Sequence, residues 1–312
     1  MSPTWVRRIA LINIIANVAI VITGGAVRLT GSGLGCPSWP NCSPDSFHTT
    51  AALGINGAIE WGNRLFGVVV GFIAVVGLFA AWRRRPRRTS LVKMAALLLV
   101  AILAQGGIGA MTVITGLNPW SVSLHFLVSV GALAVAVAFW VRSGEPDGPV
   151  RVIVPRPVRL LAWAIIAAAL ATVAIGTMVT GSGPHAGDPE TPRLDLDGHL
   201  ITQLHADAAF LLIGLTAAML LTLKAVKAPP VTMRAAWWLA GVLLAQGAIG
   251  YVQYFTNLPA ILVGAHMLGA SVLWIAALLV LYRTRVRDLA DDPQAKVPDP
   301  RPATTPAELA VG

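Results

Sequence analysis

Charge is what this chain has least of. Asp, Glu, Lys and Arg together make up 12% of its 312 residues, against 56% hydrophobic residues and a mean hydropathy of +0.72. Soluble domains average about 25% charged residues, so a water-solvated globular fold is excluded. Carboxylates are scarcer still within the apolar runs, where Glu60 is the only one in the first half. Cysteine is represented by Cys36 and Cys42 alone. Two thiols with no adjacent histidine do not make a metal centre. Gly24, Gly25, Gly31, Gly33 and Gly35 are clustered, but no strand or βαβ unit surrounds them to make a phosphate-binding loop. They serve tight bends and close helix approach instead.

What is present is a series of apolar runs long enough to cross a hydrocarbon layer about 30 Å thick. Eight are readable, over residues 8–28, 58–82, 91–113, 121–141, 158–179, 200–223, 235–255 and 260–282. The expected fold is therefore all-α, a polytopic membrane protein of eight transmembrane helices. Tryptophans near the run ends, among them Trp61, Trp82, Trp120 and Trp140, suit the membrane–water interface. A net charge of +9 would suggest nucleic acid in a soluble protein, but here its placement argues otherwise. Only Arg28, Arg64 and Arg193 lie on one side of the runs. The other basic residues cluster at the N-terminus, at alternate loops and after Arg283. That asymmetry predicts both termini in the cytoplasm of a cell-membrane protein, with no nucleic-acid partner and lipid as its surroundings.

The chain also repeats itself. Leu103-Ala-Gln-Gly-Gly-Ile-Gly109 recurs as Leu244-Ala-Gln-Gly-Ala-Ile-Gly250, and a histidine follows twenty residues after each glutamine, His125 after Gln105 and His266 after Gln246. Thr30-Gly-Ser-Gly33 recurs as Thr180-Gly-Ser-Gly183, so the first run belongs to the repeat and is no cleaved signal. Spans 1–4 match spans 5–8 in the same orientation, the parallel-repeat arrangement. Two tandem four-helix bundles follow, residues 1–150 and 151–287, with an Asp-, Pro- and Thr-rich segment 288–312 read as a disordered cytoplasmic tail. The first outer loop is eight residues longer than its counterpart, and it carries both cysteines.

Bundle interiors hold cofactors between side chains on facing helices. His205 and His266 begin alternate helices of the second half at one depth, the pattern by which membrane b-type cytochromes ligate haem iron from both sides. An ionisable group in a span is costly enough to favour that reading over an interhelical polar contact. Zinc fits less well, for want of a third ligand. His125 has the same setting in the first half, but the residue aligned with His205 is Asn63, a weak neutral ligand. The first site would then hold iron five-coordinate or through a water. Glu60 lies one turn before Asn63 and can both pair with Arg64 and accept a proton. Asp207, two residues beyond His205, is expected at a loop end or in an interhelical contact. His48, His185 and His199 fall in or beside outer loops and read as solvated. Cys36 and Cys42 can form a disulfide on the oxidising face, as a staple or as a redox pair.

The run Gly24-Gly-Ala-Val-Arg-Leu-Thr-Gly-Ser-Gly-Leu-Gly-Cys-Pro-Ser-Trp-Pro-Asn-Cys42, together with Glu60, Arg64, His125, His205 and His266, resembles the haem A synthase family over roughly residues 8–282. The resemblance implies oxidation of the C8 methyl of haem O to a formyl group. It implies haem b between His205 and His266, and substrate haem near Glu60 and His125. It further implies delivery of haem O by a haem O synthase and use of the product by a haem-A-dependent terminal oxidase. The family pattern has Glu-x-x-His-Arg where this chain has Glu60-Trp-Gly-Asn63-Arg64. Arg28 and Arg64 are candidates for haem propionates. The readings set against an enzyme are a non-catalytic electron-transfer haem protein and a haem carrier.

Overall fold

A computed structural model describes residues 1–185, 187–188 and 190–289. Its framework is eight helices: α1 (Pro3–Leu29), α2 (Gly54–Arg83), α3 (Thr89–Ile114), α4 (Pro119–Ser143), α5 (Arg156–Ser182), α6 (Gly198–Ala225), α7 (Pro230–Phe255) and α8 (Ala260–Tyr282). All eight are long and apolar enough to cross a membrane. Backbone amides in hydrocarbon must be satisfied within their own segment, which is why apolar runs of this length become helices. Their outward faces keep large apolar side chains bare, as at Phe72 and Leu221, where lipid takes the place of water.

Helix starts follow local chemistry. Ser2 caps α1 ahead of Pro3, and Asn118 Oδ1 accepts from the Trp120 amide ahead of α4 with Pro119 in the first position. The α3–α4 and α7–α8 turns are the same device in both halves. Gly116 and Leu117 in one, Asn257 and Leu258 in the other, all take φ near +60° (60°, 57°, 61° and 57°). Glycine and asparagine tolerate that region, and leucine enters it at a cost the surrounding packing must offset.

Each half closes into a four-helix ring, α1–α2–α3–α4 and α5–α6–α7–α8, with every neighbouring pair in contact. The halves meet through α1·α8, α4·α5 and α4·α8. Exchanging the halves turns the first of these contacts into the second and leaves the third unchanged, as a two-fold axis passing between α4 and α8 requires. The core follows that axis, with Leu133 and Val137 of α4, Ile165 of α5 and Ala276, Ala277 and Val280 of α8 in one buried cluster. Trp274 Nε1 of α8 donates to the Val130 carbonyl of α4 at 3.0 Å across it.

An added feature is a short antiparallel ribbon. β1 (Val150–Val152), after α4, pairs with β2 (Arg285–Arg287), after α8. The expected boundary at residue 150 therefore falls within a strand that ties the end of the second half to the linker between halves. Of the expected tail, Asp288 still bonds Pro149 and Arg151, and residues 290–312 lie outside the described residues.

Asp197 caps α6, its Oδ1 accepting from the amides of His199 (2.8 Å) and Leu200 (2.9 Å). Those two donors hold its carboxyl below the ordinary aspartate range. A native value depressed in this way contributes stability above the unfolded pKa, lost as pH falls through the native one. Asp197→Ala is expected to speed hydrogen exchange at the His199 and Leu200 amides at neutral pH, and Asp197→Ser to restore most of the protection. Equal exchange in all three proteins would remove the cap from the account of how α6 begins.

Candidate functional site

The three span histidines share one level. His125 is the seventh residue of α4, His266 the seventh of α8 and His205 the eighth of α6. Each imidazole lies against a helical glycine. A Cβ on Gly109 of α3 would come within 3.4 Å of His125 Cε1, one on Gly250 of α7 within 3.5 Å of His266 Cε1, and one on Gly176 of α5 within 3.0 Å of His205 Cε1. The repeated Ala-Gln-Gly-x-Ile-Gly motif thus acquires a physical meaning. Its last glycine clears space for the ring, while its glutamine secures the helix that bears it. Gln105 Nε2 donates to the His125 carbonyl at 3.0 Å, and Gln246 Nε2 to the His266 carbonyl at 2.9 Å.

His205 and His266 face each other across the second half. Their ring centroids are 6.3 Å apart with planes at 71°. His205 Nδ1 sits 3.0 Å from the Thr172 carbonyl of α5. A carbonyl only accepts, so Nδ1 carries the proton and Nε2 is left with a free lone pair. Metal-binding imidazoles are usually oriented in this way. His266 Nδ1 is buried without a partner. The donor set fits haem iron held from both sides, and among the described residues no cluster of three or more His, Cys, Asp or Glu offers a conventional metal cage.

The first half differs at one corner. Asn63 stands where His205 stands in the repeat, and its Oδ1 accepts from Thr23 Oγ1 of α1 at 2.8 Å. The residue aligned with Gly176 is Ala26. Where the second half has a glycine making room for an imidazole, the first has a methyl group and a short amide tied to its neighbour. His125 keeps its setting, with Nδ1 buried and unpartnered.

Glu60 and Arg64 do more than pair with each other. Glu60 is 5% exposed. Its Oε1 accepts from Arg64 Nη2 (2.6 Å) and Nε (3.1 Å), and its Oε2 from the Cys36 amide (2.6 Å). Arg64 also donates to the carbonyls of Cys36 (2.9 Å), Ser38 (3.0 Å) and Asn41 (3.2 Å). All five guanidinium donors are engaged, three of them by the loop that the Cys36–Cys42 disulfide closes. The pair is thus the floor of that loop, and Arg64 has no donor left for a propionate in this arrangement. Gly35 lets the loop settle on α2, since a Cβ there would collide with the backbone of Asn56.

Arg28 is likewise committed, with Nε donating to the His185 carbonyl at 2.5 Å and Nη2 to the Thr180 carbonyl at 3.1 Å, so it joins α1 to the α5–α6 loop. His185 is not the solvated loop histidine expected. It is half-buried, with Nε2 2.8 Å from the Leu258 carbonyl, so it continues the same tie to the α7–α8 turn. His48 and His199 are exposed. Asp207 corrects its expectation too. It is neither at a loop end nor between helices, but one turn along α6 from Gln203, whose Nε2 donates to it at 2.8 Å. Sequence reading missed the engagement of Thr172, Gly176 and Gln246. Only the matched Gln–His spacing hinted at the last.

Removing one partner of a buried ion pair costs about 3–5 kcal/mol. Arg64→Leu, which strands Glu60 and frees three loop carbonyls, is therefore expected to lower the melting temperature and to let reductant open Cys36–Cys42 faster. Glu60→Gln keeps an acceptor for the Cys36 amide and should do less of both. Alkylation mass shifts against time in reductant read the second effect. Wild-type opening rates in Arg64→Leu would mean the loop stands without its floor.

The chain matches the family model described as COX15-CtaA, cytochrome oxidase assembly protein, over residues 7–279. Similar proteins include one named heme A synthase from Methylobacterium radiotolerans, 30% identical over an alignment covering 64% of this chain and 61% of that protein. Another of that name, from Bacillus cereus, is 23% identical over 91% of this chain and 94% of its own. A third, from Hyphomonas neptunium, is 27% identical over 58% and 60%. A family model that spans all eight helices, including the disulfide loop and the three span histidines, decides the affiliation: this multi-pass membrane protein belongs to the COX15-CtaA family of cytochrome oxidase assembly proteins.

Proposed function

We propose that the protein is a haem A synthase, an oxidoreductase that carries the C8 methyl of haem O to a formyl group with haem b as resident cofactor. The observation that carries this reading is the facing pair His205 and His266, with His205 Nε2 presented by the Thr172 bond, inside a family involved in oxidase assembly. Bound there, haem b would supply one-electron redox chemistry beside the substrate. His205 and His266 would set its height in the bundle, while Gln246 and Thr172 fix the helices and ring that bear them.

Haem O as substrate would occupy the first half, with His125 as its single imidazole ligand and Asn63 leaving the opposite side of the iron open. An exchangeable guest is better served by one strong ligand than by two. Glu60 is the carboxylate of that half and would take protons released as the methyl is hydroxylated twice and the geminal diol loses water. The Cys36 amide and Arg64 hold its two oxygens in place for that task. A general base positioned within reach of the reacting group contributes about 10²–10⁴-fold to rate. Delivery of haem O by a haem O synthase, hand-over to a terminal oxidase, residence in the cell membrane and cytoplasmic termini complete the proposal.

An electron-transfer protein with two permanent haems would be expected to ligate both from two sides, and Asn63 speaks against it. A haem carrier would need no buried carboxylate at the substrate site. Co-expression with a haem O producer separates the readings, since extracted pigment bearing a formyl group supports the enzyme and unchanged haem O the carrier. His205→Ala or His266→Ala should abolish the low-spin b-type spectrum, and His125→Ala should leave that spectrum while stopping product. A full low-spin signal surviving in the His205/His266 double variant would overturn the ligand assignment.

The repeat generates one more prediction. Asn63→His alone should introduce a second ligand poorly, because Ala26 places a methyl where Gly176 leaves space in the other half. Asn63→His with Ala26→Gly should convert haem in the first half to a six-coordinate low-spin form, seen by electron paramagnetic resonance. An unmodified protein already showing two low-spin bis-histidine signals would refute the single-ligand reading.

A further inference from the structure

At the end of the bundle that carries Met1 and the β1–β2 ribbon, a cavity of about 180 Å³ lies where the two halves meet. Its walls come from the start of α1, the end of α4 with the turn that follows, and the segment from Tyr282 into β2. The volume far exceeds the roughly 10–15 Å³ that admits one water. Four arginines line it, Arg7, Arg283, Arg285 and Arg287, against a single carboxylate, Glu145.

That carboxylate is oversubscribed. Arg285 Nη2 approaches it at 3.1 Å, Arg287 Nε at 3.4 Å and, from outside the cavity, Arg88 Nη2 at 3.4 Å. Arg287 Nε is buried and makes no aligned hydrogen bond. Arg7 is held in place by other means, with its guanidinium 5.5 Å from the centre of the Trp140 ring. It also lies across Gly144, where a Cβ would come within 2.8 Å of its Nε. Arg285 and Arg287 are held in the cavity wall by Glu145, while Arg7 is exposed and Arg283 half-buried. All four line one polar hollow at the ends of the apolar helices, and the positive charge there exceeds what Glu145 can balance.

We propose that this cavity binds a phosphate-class oxyanion, carried on an anionic lipid headgroup or free. Planar guanidinium groups match phosphate oxygens in pairs, and basic pockets between transmembrane helices are where anionic headgroups lodge. The walls belong to both halves and to the ribbon, so an occupant would bridge them.

The test uses the full-length protein in detergent, exchanged with equal phosphatidylglycerol and phosphatidylcholine and examined by native mass spectrometry. Wild type is expected to retain phosphatidylglycerol preferentially. Arg7→Gln with Arg283→Gln should weaken that retention about twentyfold or more, at about fivefold per arginine. The control Arg87→Gln with Arg234→Gln, which removes two exposed charges from the same end, should not. In lipid-free detergent, inorganic phosphate should raise the melting temperature of wild type above chloride at matched ionic strength. Displacement of phosphatidylglycerol by that phosphate identifies the free ion as an occupant, and persistence of the lipid identifies the headgroup. Equal retention of both lipids with no stabilisation by phosphate overturns the site, as does a control pair that loses as much as the cavity pair.

Discussion

Hydrocarbon offers no hydrogen bonds, and everything else in this molecule follows from that constraint. A polar group placed within the spans must find its partner in the protein or leave an unsatisfied cost of several kcal/mol. Most do. Thr172 and Thr216 bond back to their own helices, Asn13 and Asn17 do the same, and Trp274 crosses to α4. Against that background the exceptions are informative. Beside Asn13 Oδ1 and Gln253 Oε1, the unpartnered atoms within the spans include Nδ1 of His125 and His266 and Oε1 of Gln105 and Gln246, in matched places of the two halves.

The duplication shows how one scaffold is made to hold two sites of different character. Helix order, the positive-φ turns, the Gln–His bond and the clearing glycine are common to both halves. Beyond the disulfide loop and its Glu60–Arg64 floor, two positions separate them at the level of the histidines. Gly176 with His205 gives room and an imidazole, whereas Ala26 with Asn63 gives neither. The change is confined to the contact between the first and second helix of each bundle, so it alters the site without disturbing the α4–α8 axis on which both halves pack.

The disulfide loop illustrates how charge is used when there is little of it. One arginine, saturated by one carboxylate and three loop carbonyls, fixes the entrance of the first half. Arg28 and His185 stitch the outer loops of both halves together through backbone carbonyls. A charged side chain here works as a fastening. The arrangement ties the buried carboxylate of the first half to the loop above it, so a change in either is felt by the other.

How much of this was legible beforehand depends on the range of the interaction. Hydropathy determined the eight spans to within a few residues, because span length answers to membrane thickness alone. The repeat brought out His125, His205 and His266 and the odd Asn63, since register is preserved along a chain. Distances across helices were not legible. That Arg64 spends every donor on the loop, that Arg28 reaches the other half, that Thr172 orients His205 and that Asp207 stays on its own helix all depend on which helix faces are brought together. The β1–β2 ribbon joins segments more than 130 residues apart in a chain whose pattern is otherwise helical. Composition and period carry one-dimensional information, enough for the helices and for the residue types gathered at the candidate site. Pairing, burial and the saturation of each donor are properties of neighbours in space, and tertiary structure alone decides them.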